Sequence, residues 1–421
     1  MPDPTSREAA RPSLLLRWLR RHSLTVVAAL GGAAGVAYAV SWNAGRADSP
    51  AALVGPGLAA GGAVGPLAAE LPRDTAVDTV QIALLLDTSS SMDGLINQAR
   101  SHLWNIVDQM GSMTRVVDGK TRGVRVELAL YEYGNSRLSS ASGYIRQVLP
   151  FTSDLDKVSE QLNALMTTGG NEYAGQVIQT AASELAWSSE PGALKFVFVA
   201  GNEGFDQGPV SADAAMKVAK GKDISVQLIH CGGTDATWSS AALLAGTDLT
   251  SIDQDRVAHH IPAPQDDAIL RLGGELNATY LAYGSEGQAA VARQAQADAS
   301  SAGLSKKVAL ERSQLKAKPS YKNSTWDLVD AVEGDAGFLA KTDEAALPAD
   351  LRGKSLEEKQ KIVADKAAGR AAIKSEIAKL ERERAAFLAA EKAKAAPDAP
   401  SLETELMKGT RKVAGQKGWK L

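Results

Sequence analysis

Three oxygen-bearing side chains stand at alternating positions in one short stretch of the chain: Asp87, Ser89 and Ser91. A carboxylate and two hydroxyls are hard donors, which suit Mg2+, Mn2+ or Ca2+ and not the metals that prefer thiolate or imidazole ligands. The same residue types are also preferred at the start of a helix, where they accept hydrogen bonds from free backbone N–H groups. The residues alone therefore leave two interpretations open, a cation site and a helix cap.

The elements around this stretch decide where it would lie. A mostly apolar run precedes it, Val80 to Leu86, and predicts a strand buried on both faces of a sheet. Apolar residues at helical spacing from Leu95 to Met110 predict that a helix follows. Because ligands of open α/β sheets bind at the carboxyl ends of the strands, the prediction places Asp87 at a ligand-binding edge.

Strand and helix patterns alternate from here to about Tyr283. Residues 124–133 and 144–149 alternate with period two and predict a hairpin, while apolar runs at 194–200 and 224–230 predict two more buried strands. Helices are predicted at 153–166, 172–187 and 211–220. This order predicts an α/β fold with a doubly wound, mainly parallel sheet and one antiparallel edge strand.

The sequence Asp87-Thr88-Ser89-Ser90-Ser91 resembles the first loop of the metal-ion-dependent adhesion site of von Willebrand factor A (vWA) domains. The resemblance extends from about Asp78 to Tyr283, because the motif ends the first buried strand and precedes an amphipathic helix in the expected order of elements. It implies a Rossmann-like vWA sheet, a bound divalent cation, and a protein partner whose acidic side chain completes the coordination of that cation.

The second and third loops depart from the family pattern. Where the family usually has Gly-Gly-Thr, this chain has Gly169-Gly170-Asn171-Glu172, and where it usually has Thr-Asp-Gly-Glu, this chain has Ala200-Gly201-Asn202-Glu203. The usual aspartate therefore falls on Gly201, and Glu172 or Glu203 would have to supply a carboxylate directly or through water. The resemblance then implies Mg2+, or Mn2+ or Ca2+, held by Asp87, Ser89, Ser91, Asn171, Glu172 and Glu203.

Two alternatives to this ligand set stay open. The site could be degenerate and keep Asp87, Ser89 and Ser91 for loop geometry alone. Glu172 also stands at a predicted helix start, where a carboxylate complements the helix dipole without binding metal.

Composition limits the classes of function. The 421 residues are 44% hydrophobic, which allows a sizeable core, and 46 basic against 49 acidic residues leave no overall positive field to hold nucleic acid. The single cysteine, Cys231, excludes an intramolecular disulfide. No nucleophile is paired with a base in any known pattern, so we expect no enzymatic activity.

The amino-terminal segment has an export pattern. Four arginines between Arg11 and Arg21 precede an uncharged stretch whose apolar part, Leu24 to Trp42, is 19 residues long. That length is close to the ~20 residues that cross a bilayer, and the positive flank should stay cytoplasmic. We expect a retained anchor with the vWA domain on the outer side, while cleavage at Ala37-Tyr38-Ala39 would give a secreted form.

The remaining regions complete the predicted organisation. Residues 43–77 are rich in Ala, Gly and Pro and predict a linker. Residues 284–421 predict an α-helical region, in which the apolar stripe of Leu356 to Lys394 suits either a hairpin that folds back on the chain or a helix that docks a partner. The basic, Gly-containing stretch from Lys408 to Leu421 predicts a frayed end. The predicted domains are a membrane segment at 1–42, the linker at 43–77, a vWA domain at 78–283 and the helical region at 284–421.

Two functions remain compatible with these patterns. The first is a membrane-anchored, exported binding module that uses its cation to bind a protein partner. The second is a metal-independent scaffold of the cell envelope that acts through its carboxyl-terminal helices. Neither involves nucleic acid, and neither fixes the oligomeric state.

Overall fold

The computed structural model describes residues 73–253, 260–393 and 402–420. The predicted membrane segment and most of the predicted linker lie outside these residues. Within the described part of the chain, no helix is both long and apolar enough to cross a membrane. The described residues all fall in one compact unit, Ala68–Leu421.

One mixed sheet forms the centre of this unit, in the strand order β7-β6-β5-β1-β3-β2-β8, with β4 paired to β3. The pairs β1–β3, β1–β5, β5–β6 and β6–β7 are parallel. The pairs β2–β3, β2–β8 and β3–β4 are antiparallel. The strands are β1 (Arg73–Asp87), β2 (Thr114–Val117), β3 (Lys120–Tyr133), β4 (Ile145–Thr152), β5 (Leu194–Gly201), β6 (Ser225–Cys231), β7 (Leu249–Ile252) and β8 (Trp419–Lys420).

Helices cover both faces of the sheet. Their bounds are α1 (Asp93–Gly111), α2 (Leu155–Ala164), α3 (Ala174–Glu184), α4 (Ala212–Gly221), α5 (Ala236–Ala245), α6 (Asp266–Asn277), α7 (Gly287–Leu304), α8 (Lys306–Ala317), α9 (Leu328–Gly334), α10 (Phe338–Lys341), α11 (Leu356–Lys392) and α12 (Leu402–Gln416). Alternate residues of β1 point to opposite faces, so Ile82 and Leu84 pack with α1, α2, α8 and α12, whereas Ala83 and Leu85 pack with α3, α4 and α5.

The predicted fold class is confirmed. Every strand and helix predicted before residue 231 is present, and β1 lies at the centre of the sheet as a strand buried on both faces. The antiparallel part is larger than one edge strand, because β2, β4 and β8 all run against their neighbours. The sequence patterns did not predict β2, α5, β7 or α6, since β2 and β7 are only four residues long and α5 is mostly Ala and Ser.

The prediction of a frayed carboxyl terminus is wrong. Helix α12 packs on α1 and on the sheet, with Leu402, Leu406 and Met407 buried in the same core as β1. Strand β8 then pairs with β2, and the Trp419 ring is 4% exposed. The burial of apolar residues on one face of α12 stabilises the helix, although the exposed lysines on its other face suggested a frayed terminus.

Helix α11 folds back on the chain, as one of the two sequence interpretations proposed. A capping box at Ser355 and Glu358 starts the helix, and the helix then packs against α6, α8, α9 and α10. Arg370 anchors it to α9, where its guanidinium bonds the carboxylates of Asp327 at 2.6 Å and Asp330 at 2.7 Å. A small second core lies beneath this region, formed by Leu328, Val329, Leu339, Leu347, Leu351 and Val363.

Candidate metal centre

Asp87 is the last residue of the central strand and is fully buried. Its Oδ1 accepts a hydrogen bond of 2.7 Å from the Ser89 backbone N–H. Its Oδ2 has no hydrogen-bond partner among the described atoms, although it is shielded from solvent. A buried carboxylate oxygen without a partner costs free energy, and a positively charged partner would offset that cost.

The two serines of the motif lie together on the loop that follows. Ser89 is buried and Ser91 is exposed, and their Oγ atoms are 3.3 Å apart. The interpretation of this loop as a helix cap is wrong, because α1 begins at Asp93 and its N-cap residue, Met92, makes no side-chain capping bond. The side chains of Asp87, Ser89 and Ser91 therefore do not cap α1.

Glu172 brings a second carboxyl group into contact with Asp87. The residue is 3% exposed, and its side chain lies within hydrogen-bond reach of Asp87, of Ser89 and of the Glu203 backbone. Glu172 immediately precedes Tyr173, the N-cap of α3, and so is not itself the cap residue of that helix. The structure thus joins Asp87, Ser89, Ser91 and Glu172 in one cluster at the carboxyl end of β1.

Burial sets the electrostatics of this carboxyl pair. Burial first, and then the adjacent Glu172 carboxyl, raise the pKa of Asp87 well above its ordinary range. Burial likewise raises the pKa of Glu172, and the charge of Glu203 raises it further. The charged neighbours named here are all acidic. Two carboxyl groups in this setting hold a proton between them unless a cation takes its place.

Glycine makes room for the pair. Gly134 has φ +78°, and a Cβ there would lie 2.6 Å from Asp87 Oδ1 and 2.9 Å from Glu172 Cγ. Any side chain at this position would displace one carboxyl group or the other. The loop after β3 is therefore shaped around the contact between Asp87 and Glu172.

Gly201 stands where the resemblance leads one to expect aspartate, and the space for that side chain is filled. A Cβ at Gly201 would lie 2.4 Å from Tyr133 Oη and 3.5 Å from Asp87 Oδ2. Burial and the charge of Asp87 raise the pKa of Tyr133, so its hydroxyl keeps the proton that it donates to Ala200 O at 3.0 Å. The Tyr133 phenol therefore occupies the space that an aspartate side chain at position 201 would need.

Asn202 is a site residue that the sequence reasoning missed. Its Nδ2 donates to Ser91 Oγ at 2.9 Å, which ties the third loop to the first. Its Oδ1 is buried and has no hydrogen-bond partner among the described atoms, as is true of Asp87 Oδ2. An amide directly after Gly201 in the third loop was the available signal, because amide oxygens are ligands for hard cations.

Asn171 and Glu203 lie farther out. Both residues are exposed, and the side chain of Glu203 accepts a 2.7 Å hydrogen bond from Gln207 Nε2. Only the backbone of Glu203 reaches Glu172. The structure therefore places these two predicted ligands at the rim and not beside Asp87.

The donors suit a hard cation. Within the described residues, no group of three or more His, Cys, Asp or Glu side chains has the arrangement of a metal cluster. Any cation here would depend on hydroxyl and amide oxygens in addition to Asp87 and Glu172. That set, with two solvent-shielded oxygens lacking a donor, fits Mg2+, Mn2+ or Ca2+ better than a metal that needs nitrogen or sulfur ligands.

Comparison with known proteins supports the resemblance noted from the motif. Residues 81–249 match the model of the von Willebrand factor type A domain family. No curated protein sequence matches the chain. Among solved structures, proximal thread matrix protein 1 from the mussel byssus aligns at 12% identity over 42% of each chain, with a TM-score of 0.32. The same protein "with zinc occupied MIDAS motif" aligns at 14% identity over 43% of each chain, with a TM-score of 0.33.

Proposed function

We propose that the vWA domain found at residues 81–249 binds a divalent cation and, through it, an acidic side chain of a protein partner. The observation that carries the proposal is the buried Oδ2 of Asp87, which has no hydrogen-bond partner among the described atoms and belongs to a carboxyl group in contact with that of Glu172. The same edge of the sheet carries the Ser89 and Ser91 hydroxyls. The function is one of binding, and it assigns no catalytic step to the domain.

In this proposal, Asp87, Ser89, Ser91 and Glu172 hold the cation, and Asn202 adds an amide oxygen. Asn171 and Glu203 act from the rim, through water. A bound divalent cation supplies a Lewis-acidic positive charge at the protein surface, which attracts a carboxylate. Because the ligating carboxyls must lose their shared proton, cation binding becomes weaker as the pH falls.

The surface position of the cluster supports capture of a partner. Ser91 is exposed while Asp87 beneath it is buried, so a cation between them would face solvent on one side. A carboxylate from a partner could fill the open side and exchange its hydration for a direct bond to the cation. Mg2+ is the first candidate, and Mn2+ or Ca2+ offers the same oxygen chemistry.

The amino-terminal segment gives the proposal a cellular setting. We propose that Leu24 to Trp42 anchors the chain in a membrane with the domain on the outer side, on the strength of the arginines that precede it. Alkaline extraction of membranes from expressing cells should leave the chain in the pellet. Release of a chain that begins just after Ala39 would instead establish cleavage and secretion.

The decisive experiment adds increasing concentrations of metal to the purified chain and measures its thermal unfolding at each concentration. A cation at 100 times its dissociation constant should stabilise the folded state by about 2.7 kcal/mol, because only the folded state assembles the site. Asp87→Asn should abolish this gain. The matched control is Asp365→Asn, which alters an exposed aspartate on α11 and should respond as the wild type does.

Two results would overturn the proposal. One is an equal gain in the wild type and in Asp87→Asn, which would place the cation elsewhere. The other is the absence of any gain with Mg2+, Mn2+ and Ca2+, which would leave the scaffold function of the carboxyl-terminal helices as the better explanation.

A further inference from the structure

The loop after β3 and the loop after α2 are bonded to the loop that contains Asp87. The buried side chain of Asn135 joins these loops: its Nδ2 donates to Met166 O at 2.8 Å and to Thr88 Oγ1 at 3.4 Å, and its Oδ1 accepts from the Arg137 backbone N–H at 3.0 Å. The Thr168 N–H also donates to Thr88 O at 3.0 Å. Met166 and Arg137 are thus held in fixed positions next to the first loop of the site.

Their side chains form a small amphipathic surface, which we call the Met166–Arg137 rim. Met166 is 62% exposed, and its Sδ lies 3.8 Å from Arg137 Nη1. The Arg137 side chain is exposed and has no acidic partner within salt-bridge distance in the described part of the chain. Arg115 and Arg370, by contrast, are each paired with aspartate.

Charge complementarity points to one kind of occupant. Exposed acidic residues near the site, such as Asp93 and Glu203, would repel an acidic ligand. A bound cation would attract such a ligand at one point, and the unpaired guanidinium of Arg137 would attract it at a second. Arginine is well suited to the second role because its planar fork pairs with carboxylates in a bidentate manner.

We propose that the Met166–Arg137 rim determines which acidic partners the domain accepts. The preferred partner segment carries one acidic residue at the cation, an apolar residue against Met166, and a second acidic residue that pairs with Arg137. Methionine suits the apolar contact because its flexible thioether adapts to side chains of different shape. The inference rests on the proposed cation-dependent function and adds the chemical class of the partner.

The test uses synthetic peptides on the full-length chain in Mg2+ and in EDTA. Three sets of hexapeptides share a central Glu in a Gly/Ser background: the first has no other feature, the second adds a Leu, and the third adds the Leu and a second Glu at varied spacing. The wild type should bind the third set about tenfold more tightly than the first, in Mg2+ only.

Two variants separate the contributions of the rim. Arg137→Gln should remove the gain in affinity from the second Glu and keep the gain from Leu. Met166→Ser should remove the gain in affinity from Leu and keep the gain from the second Glu. Matched controls are Arg382→Gln, at an exposed arginine on α11, and Leu243→Ser, at a leucine on α5 that is 82% exposed. Both controls should select peptides as the wild type does.

The outcomes distinguish this inference from the function on which it rests. Mg2+-dependent binding with unchanged selectivity in both rim variants would overturn the inference and leave the cation function intact. Absence of Mg2+-dependent binding to every peptide would overturn the cation function itself. Concentration-dependent self-association that Arg137→Gln abolishes would reassign the rim to a second copy of the chain and so overturn the inference.

Discussion

Asp87 and Glu172 share a buried space in which two negative charges are unfavourable. Among the described residues, neither carboxyl group has the Lys or Arg partner that usually accompanies a buried acid, and the charged neighbours with the largest effects on their pKa values are acidic. Arg312 shows the usual arrangement in the same molecule, because it neutralises Asp156 at 2.7 Å and Asp298 at 2.8 Å. The candidate site therefore stores unfavourable electrostatic energy that a cation would relieve.

This imbalance predicts how stability depends on pH without metal. Because both pKa values are raised, the folded state binds more protons than the unfolded state above about pH 4, so stability falls as the pH rises through the raised values. Asp87→Asn should weaken this decline and be more stable than the wild type in EDTA at pH 7.5, by about 1–3 kcal/mol. Urea unfolding between pH 4.5 and 8 measures the difference.

Asp365→Asn serves as the control here too, since its exposed carboxylate should leave the pH profile unchanged. The stabilities of the wild type and of Asp87→Asn should converge toward the acid end of this pH range, because the raised pKa values favour the protonated wild-type carboxyls there. A variant that is less stable than the wild type in EDTA at pH 7.5 would contradict the proposed strain.

The residues that the sequence could predict are those whose signal is local. Asp87, Ser89 and Ser91 follow an apolar strand directly, and Glu172 follows a Gly-Gly pair, so each was found from its neighbours in the chain. The Tyr133 hydroxyl, which fills the space beside Gly201, could not be found in this way. Tyr133 and Gly201 are far apart in sequence, and only the parallel arrangement of β3, β1 and β5 brings them together.

Among the elements, α12 has the role that was hardest to foresee. It closes the face of the sheet on which α1 lies, and Glu403 near its start bonds His102 at 2.7 Å. Its contacts come from residues roughly 300 positions earlier in the chain, so no short-range pattern could reveal them. The buried strands were predicted because each is itself an apolar run, whereas α12 is recognisable only from its partner surface.

Removing one buried leucine from α12 tests this role. Leu406 is 1% exposed and lines an apolar cavity of about 10 Å³ between the helix and the sheet. Leu406→Ala should enlarge that cavity and lower the free energy of unfolding by about 2–5 kcal/mol. The nearby exposed Arg411 offers a control, since Arg411→Ala should change the free energy of unfolding by less than about 0.5 kcal/mol in the same urea titration. Equal, small effects in both variants would mean that α12 adds little to the core.

The docking of α12 and β8 also bears on the scaffold alternative. Their apolar residues are buried within this chain and are not available to a partner while the fold is intact. A scaffold function would therefore depend on side chains of this region that stay exposed, such as those on the outer side of α11.

At the scale of the whole molecule, the folding unit is larger than the part that matches the vWA family. The match spans residues 81–249, whereas the compact unit spans residues 68–421. Helices from beyond the match cover α1 and α2: Arg312 of α8 lies 4.5 Å above the Trp104 ring, and Ser301 of α7 accepts the hydrogen bond from the indole of Trp104. These contacts join the carboxyl-terminal region to the sheet in one core.

We therefore expect that residues 73–253 alone do not form a well-packed domain. The fragment would expose Trp104 and the face of the sheet that α12 covers, and it would leave Asp156 buried without Arg312. It should bind the dye ANS and lack a near-UV circular dichroism signal, as loosely packed states do. The fragment of residues 73–420 is the control and should show neither property. A cooperative thermal transition in the shorter fragment would show that the matched region folds by itself.

The central position of β1 has a mechanical consequence. The strand begins at Arg73, the first residue that the structure describes, and ends at Asp87, where we propose that a partner is captured. Tension between the chain before Arg73 and a bound partner would therefore run along this single strand. Because β3 and β5 are hydrogen-bonded to its two edges in parallel register, the force would act along both ladders at once, and many bonds would have to break together.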